Sequence, residues 1–150
     1  MTHLKIGNPA PLFTGTNQKG EEIGLKDYRG KKIILYFYPK DSTPGCTAQA
    51  CNLRDNDALL LKKGFAVIGI SPDSQTSHEK FAKKNSLPFL LIADTGKEIA
   101  KLYGVWGPKK FMGKSYEGIH RTTFIISEDG IILDIIDKVD TKNHVDQILK

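Results

Sequence analysis

Ile33-Ile-Leu-Tyr-Phe-Tyr38, followed without a break by Pro39-Lys-Asp-Ser-Thr43-Pro-Gly-Cys46-Thr-Ala-Gln-Ala-Cys51, is the stretch on which the fold turns. Its first six residues are a continuous apolar run ended by turn formers, the pattern of a strand buried on both faces. Pro39 breaks the run, and Asp, Ser, Thr, Pro and Gly carry a turn. A helix is expected from about 45 to 63, with Ala48, Leu53 and the apolar cluster 58–61 on one face and Gly64 closing it. Strand, turn and helix in that order open a βαβ unit.

The flanking sequence repeats the pattern. Phe65-Ala-Val-Ile-Gly-Ile70 is a second apolar run, and Ser71-Pro-Asp-Ser74 turns into a helix that ends near Asn85. Pro88-Phe-Leu-Leu-Ile-Ala93 is a third strand, followed by a short helix, Lys97–Tyr103. Strands alternating with helices predict a parallel sheet. Arg121-Thr-Thr-Phe-Ile-Ile-Ser127 and Ile131-Ile-Leu-Asp-Ile-Ile136 form a hairpin around Glu128-Asp-Gly130, adding an antiparallel pair. Leu12–Thr16 and Glu22–Leu25 suggest a smaller hairpin, and Thr141 is expected to cap a final helix. Gly104–Gly118 reads as a loop anchored by Trp106 and Phe111. The sum is one α/β domain over residues 1–150: a mixed central sheet with helices on both faces.

Bulk properties exclude several classes. With 39% hydrophobic and 26% charged residues, the chain has ordinary globular composition. No stretch reaches the ~18 apolar residues of a membrane span. Met1-Thr-His-Leu-Lys-Ile-Gly-Asn-Pro9 holds no apolar core of signal-peptide length, so a cytoplasmic protein is expected. The net charge of +5 reads as a lysine-rich solvated surface. Only Lys109, Lys110, Phe111 and Lys114 mix basic and aromatic residues, too short a stretch for nucleic-acid binding.

The only two cysteines lie in the opening stretch. Cys46 falls in the first turn of a helix, where free N–H groups and the helix dipole favour the thiolate, the nucleophilic form. Cys51 follows five positions on. In an ideal helix that places the Cα atoms about 8.5–9 Å apart, whereas a disulfide needs roughly 4.4–6.8 Å. If the two are a redox pair, the helix start must unwind to join them. The C-x₄-C spacing differs from the C-x-x-C of thiol–disulfide oxidoreductases, although an oxidoreductase or a peroxide sensor could use the same thiols. A zinc site would need two more ligands, and His3, His78, His120 and His144 show no paired metal-ligand spacing. Thr43 could bring its hydroxyl to the sulfur, or simply start a helix. Arg121, opening a strand, could hold an anion or merely face solvent.

Pro39-x-x-x-Thr43-x-x-Cys46 resembles the P-x-x-x-T-x-x-C active-site pattern of the peroxiredoxins, and the chain is similar to their bacterioferritin-comigratory (Q-type) subfamily. The resemblance extends through Tyr38-Pro-Lys-Asp-Ser-Thr-Pro-Gly-Cys-Thr47, Gly69-Ile-Ser-Pro-Asp73, Leu87-Pro-Phe89, Tyr103-Gly-Val-Trp106 and Gly118-Ile-His-Arg-Thr-Thr-Phe124. The family often carries Glu where Gln49 stands. The resemblance implies a thioredoxin-like fold and a thiol peroxidase. Cys46 would be the peroxidatic cysteine, Cys51 the resolving cysteine, and Thr43, Pro39 and Arg121 the residues that activate the peroxide. It further implies a Cys46–Cys51 disulfide re-reduced by thioredoxin or a similar dithiol, no metal or organic cofactor, no nucleic-acid or membrane partner, and a monomer. Overoxidation-sensitive relatives carry a C-terminal extension over the site. Here the sequence stops at Gln147-Ile-Leu-Lys150, so ready unwinding and moderate resistance to overoxidation are expected.

Overall fold

A computed structural model describes residues 2–150; Met1, at the head of the N-terminal stretch, lies outside it. The chain runs β1 (Thr14–Asn17), β2 (Glu22–Gly24), a 3-10 turn (Leu25–Tyr28) and β3 (Lys32–Phe37). It continues through α1 (Pro44–Asp55), α2 (Asp57–Lys62), β4 (Phe65–Ser71), α3 (Gln75–Lys84), β5 (Leu90–Ala93) and α4 (Glu98–Leu102). The strands β6 (Trp106–Phe111), β7 (Lys114–Ile119), β8 (Thr122–Ile126) and β9 (Ile132–Ile136) lead to α5 (His144–Leu149).

Seven strands form one sheet in the order β2-β1-β5-β4-β3-β8-β9. The βαβ units pair β3 with β4 and β4 with β5 in parallel. The hairpin β8–β9 adds its antiparallel pair through β3. The central strands alternate across two buried layers. Ile34, Tyr36 and Tyr38 face Cys46, Ala50 and Leu53 of α1, Leu60 of α2, Phe81 of α3 and Val145 of α5. Ile33, Leu35 and Phe37 face Phe13, Ile99 and Tyr103, with α4 and the N-terminal segment covering that side. The fold is thus the expected mixed sheet with helices on both faces.

Three local expectations change. The helix expected over 45–63 is two helices. Asn56 closes α1 with its side-chain amide donating to the Asn52 carbonyl, and the chain restarts as α2. The last helix begins after Asn143 rather than at Thr141. The largest correction is the segment read as a loop, 104–118. It is a two-stranded hairpin in register from Trp106↔Ile119 to Phe111↔Lys114. Its turn residues, Met112 and Gly113, both take positive φ, 51° and 79°, the geometry of a tight two-residue hairpin turn. Trp106 packs against the core, but Phe111 is 67% exposed near the hairpin tip and anchors nothing.

Candidate active site

The sheet register brings two distant parts of the sequence together. β8 runs antiparallel to β3, with Thr122 opposite Phe37. Arg121, immediately before β8, therefore stands where β3 ends and the turn toward α1 begins. Pro44 occupies the first turn of α1, where the missing N–H costs nothing. Cys46, Ala50 and Leu53, spaced for one helix face, are buried against the sheet.

Cys46 and Arg121 meet here. The Arg121 Nη2 donates to Cys46 Sγ at 3.2 Å, and its Nη1 donates to Gln49 Oε1 at 2.7 Å. Gln49, one turn after Cys46, holds the second prong of the guanidinium, so the fork is fixed in plane. The other end of this amide, Nε2, is buried without a partner among the described residues. Gly45 leaves room for the approach, since a Cβ at that position would lie 3.3 Å from Arg121 Nη2. Cys46 is 1% exposed, so the Arg121 guanidinium acts on the sulfur with little water between them.

Thr43 is the N-cap of α1 by backbone geometry, but its side chain makes no cap hydrogen bond. The hydroxyl turns back and donates to the Lys40 carbonyl at 2.8 Å. Two consequences follow. First-turn N–H groups of an α-helix have no intrahelical partner, and Thr43 does not take up those of Gly45 and Cys46. The lone pairs of the Thr43 oxygen also stay available to accept a hydrogen. Pro39 sits between β3 and this turn and lines a groove of about 300 Å³ with Trp106, Tyr116 and Ile119. Lys109 borders that groove and also a second one lined by His120 and Arg121. Its ammonium donates to the Ile119 carbonyl at 2.8 Å, and burial and the Arg121 charge hold it below its ordinary pKa. Tyr36, whose hydroxyl is buried without a partner among the described residues, is pushed well above its usual range by burial and by the neighbouring Cys46.

Cys51 stands apart. It is half-buried, and its thiol faces Asn85 Oδ1 at 3.8 Å, at the end of α3. Both cysteines are free, and α1 is continuous from Pro44 to Asp55. The structure therefore brings Arg121 onto Cys46 and sets Thr43 at the head of the same helix; Pro39 lines the neighbouring groove, which Lys109 also borders, and Cys51 lies apart, against Asn85. Gln49 and Lys109 were not singled out as site residues from sequence. Only the position of Gln49, one helical turn from Cys46, could have marked it.

The chain is similar to known proteins over nearly its whole length. The AhpC/TSA family model matches residues 6–135. Peroxiredoxin Bcp of Escherichia coli is 47% identical over 149 residues, covering 99% of this chain and 96% of that protein. Among solved structures, a cysteine-to-serine mutant of PrxQ from Xylella fastidiosa superposes with a TM-score of 0.93 at 27% identity, over 99% of this chain and 95% of the other. A trapped intermediate/ligand complex of Xanthomonas campestris bacterioferritin comigratory protein, described for its alkyl peroxide reduction activity, has a TM-score of 0.86 at 31% identity, over 91% of this chain and 87% of the other.

Proposed function

The chain belongs to the AhpC/TSA family, among the Bcp peroxiredoxins, and is a thiol peroxidase; on that premise we propose that Cys46 is its peroxidatic cysteine and Cys51 its resolving cysteine. The observation that supports this most is the Arg121 guanidinium 3.2 Å from Cys46 Sγ, beside a helical first turn left uncapped by Thr43.

The chemistry follows from the geometry. The Cys46 thiolate attacks the terminal oxygen of ROOH, forming an S–O bond as the O–O bond breaks. The O–O electron pair leaves on RO⁻, which takes a proton to give water or an alcohol, and Cys46 becomes a sulfenic acid. Thr43, its own hydrogen committed to Lys40, accepts a hydrogen bond from the peroxide O–H and orients it. Arg121 and the Cys46 N–H donate to the oxygens, most strongly as charge builds on the leaving one. Pro39 walls the site and excludes water. The groove beside Pro39, with Trp106 and Ile119 in its lining, suits an alkyl chain, so the substrates are hydrogen peroxide and organic hydroperoxides.

The start of α1 then unwinds, and the Cys51 sulfur displaces water from the sulfenic acid to form the disulfide. Peroxiredoxins take their electrons from a thiol reductant; here that is thioredoxin, which restores both thiols by exchange. Peroxiredoxins generally work without a cofactor, and none of these steps calls on a metal or an organic one. The disulfide closes within one chain, so a monomer suffices, and the cytoplasm is the compartment whose reductants fit. Among the described residues no helix is long and apolar enough to cross a membrane.

Two variants test the reading. Cys46→Ser abolishes peroxide consumption. Cys51→Ser still forms a sulfenic acid, detected by mass after trapping, but loses turnover with thioredoxin. If Cys51→Ser fails to form the sulfenic acid, the roles are wrong. If it forms a stable mixed disulfide with a protein other than thioredoxin, the chain is a sensor.

A further inference from the structure

Asp41 lies two residues before Thr43, and no step of the peroxide reaction uses it. It is only 5% exposed, a burial that a carboxylate tolerates when it is paired. Three donors reach it: the Tyr38 hydroxyl to Oδ1 at 2.6 Å, and the Ser77 hydroxyl and His78 Nδ1 to Oδ2 at 2.8 and 2.7 Å. Its backbone N–H donates to Asp73 Oδ2 at 2.8 Å.

His78 is fully buried, with Nε2 3.0 Å from the Ile92 carbonyl. A carbonyl has no hydrogen to give, so Nε2 must donate. Nδ1, on the other side of the ring, stands 2.7 Å from Asp41 Oδ2, so the imidazole is held between the turn and β5. Asp41, Asp73 and His78 also form the one cluster of metal-ligand type among the described residues, but Asp41 and His78 are already bonded to each other.

These bonds tie the turn to α3, to the loop before it at Asp73 and, through His78, to β5, and the tie ends at a defined point. The next residue, Ser42, has φ 63°, a left-handed conformation that a residue other than glycine holds only under constraint. Thr43 follows, its hydroxyl bonded back to the carbonyl of Lys40, the residue between Pro39 and Asp41. The direction of the Lys40 carbonyl, and with it the Thr43 oxygen, is therefore set by the Asp41 anchor.

We propose that Asp41 and His78 are positioning residues that clamp the turn 39–41, keeping Pro39 and Thr43 set for peroxide and making Ser42 the hinge where unwinding of α1 begins. The proposal rests on Cys46 being the peroxidatic residue. Loosening the clamp has two effects of opposite sign. Peroxide oxidation slows, because Thr43 and Pro39 lose their placement. Simple alkylation of Cys46 speeds up, because the strained turn relaxes and the helix start frays, exposing the sulfur. Residues that merely supported the fold would not separate these two rates.

The test uses reduced full-length protein carrying Asp41→Asn, His78→Gln or Ser77→Ala, checked for folding by circular dichroism. Rates of Cys46 oxidation by hydrogen peroxide and of Cys46 alkylation by iodoacetamide are read by peptide mass. Asp41→Asn and His78→Gln should slow oxidation roughly tenfold or more and raise alkylation several-fold. Ser77→Ala, which keeps the pair and removes one hydroxyl, should move both rates the same way by about two- to threefold, and it decides the matter if the other variants do not fold. Unchanged rates in the folded variants, or oxidation and alkylation falling together, overturn the clamp. Failure of the Cys46 assignment would be seen separately, as a Cys51→Ser protein that forms no sulfenic acid at Cys46.

Discussion

Replacing Arg121 by Lys keeps the positive charge and removes the fork, which makes it the sharpest probe of the site. In the native arrangement one guanidinium nitrogen bonds Gln49 Oε1 at 2.7 Å while the other bonds Cys46 Sγ at 3.2 Å. A lysine ammonium is a single point on a flexible stem and cannot fill both positions at once. The buried Gln49 oxygen, or the sulfur, is left without its donor. A charge-assisted hydrogen bond contributes about 1.5–3 kcal/mol, and loss of one donor to a developing oxyanion costs about 10²- to 10³-fold in rate. Because lysine retains the charge, Arg121→Lys should slow Cys46 oxidation by roughly tenfold, and Arg121→Ala by about a hundredfold or more. Trp106, the only tryptophan, borders the groove beside Pro39 and serves as the fluorescence reporter in stopped-flow mixing with peroxide. Arg121→Lys reacting at the wild-type rate would show that charge alone matters and refute the argument from the fork. Arg121→Ala losing less than about threefold would refute a role for Arg121 in the transition state.

Three further outcomes follow from particular contacts. Gln49→Ala frees one prong of Arg121 and should slow oxidation about tenfold, measured by the same mixing experiment, whereas Gln49→Glu keeps an acceptor and should stay nearer the wild-type rate. Gly45→Ala should stabilise the start of α1 by about 0.5–1 kcal/mol in denaturant titrations while slowing the peroxide step a few-fold, since its Cβ would stand 3.3 Å from Arg121 Nη2; a variant both more stable and faster would contradict this. His144 is buried, accepts from Thr123 and donates to Gln147, whose oxygen is identified by the Asp140 N–H that also bonds it. Burial holds the His144 imidazole below its ordinary value of 6.5, so the unfolded chain takes up the proton first as the pH falls. Its contribution to stability is complete above about pH 6.5 and is lost below it, down to the folded-state pKa, at no more than about 1.4 kcal/mol per pH unit. Denaturant midpoints at about pH 7.5 and about pH 5.5 should differ less in His144→Asn than in the wild type; an unchanged difference would exclude His144 as a source.

What could be read from the sequence was what rests on local pattern. Ile33–Tyr38 and Phe65–Ile70 are unbroken apolar runs, and Pro44 with Cys46 marks a helix start, so the strand, the turn and the place of the Cys46 thiol at the helix start were evident. The hairpin of β6 and β7 was hidden because its strands carry Gly107, Pro108 and Gly118, and its turn uses Met112 where Asn or Asp would have been the signal. The single helix expected over 45–63 failed at Asn56, since apolar residues continue on both sides of the break. The Arg121 contact became an expectation only through family resemblance, because it joins residues 75 positions apart. The Asp41–His78 pair, 37 positions apart, had no sequence signal, and His78 looked like one of four scattered histidines.

The central claim is that one segment serves two conformations: a helix that activates Cys46 and an unwound strand that lets Cys51 reach it. Amide hydrogen exchange across residues 44–55, compared before and after stoichiometric peroxide, tests it most directly when the disulfide is mapped by peptide mass in the same samples. The account predicts a Cys46–Cys51 disulfide together with loss of protection from Thr47 to Cys51, while β3 stays protected. A Cys46–Cys51 disulfide formed with that protection intact would contradict it.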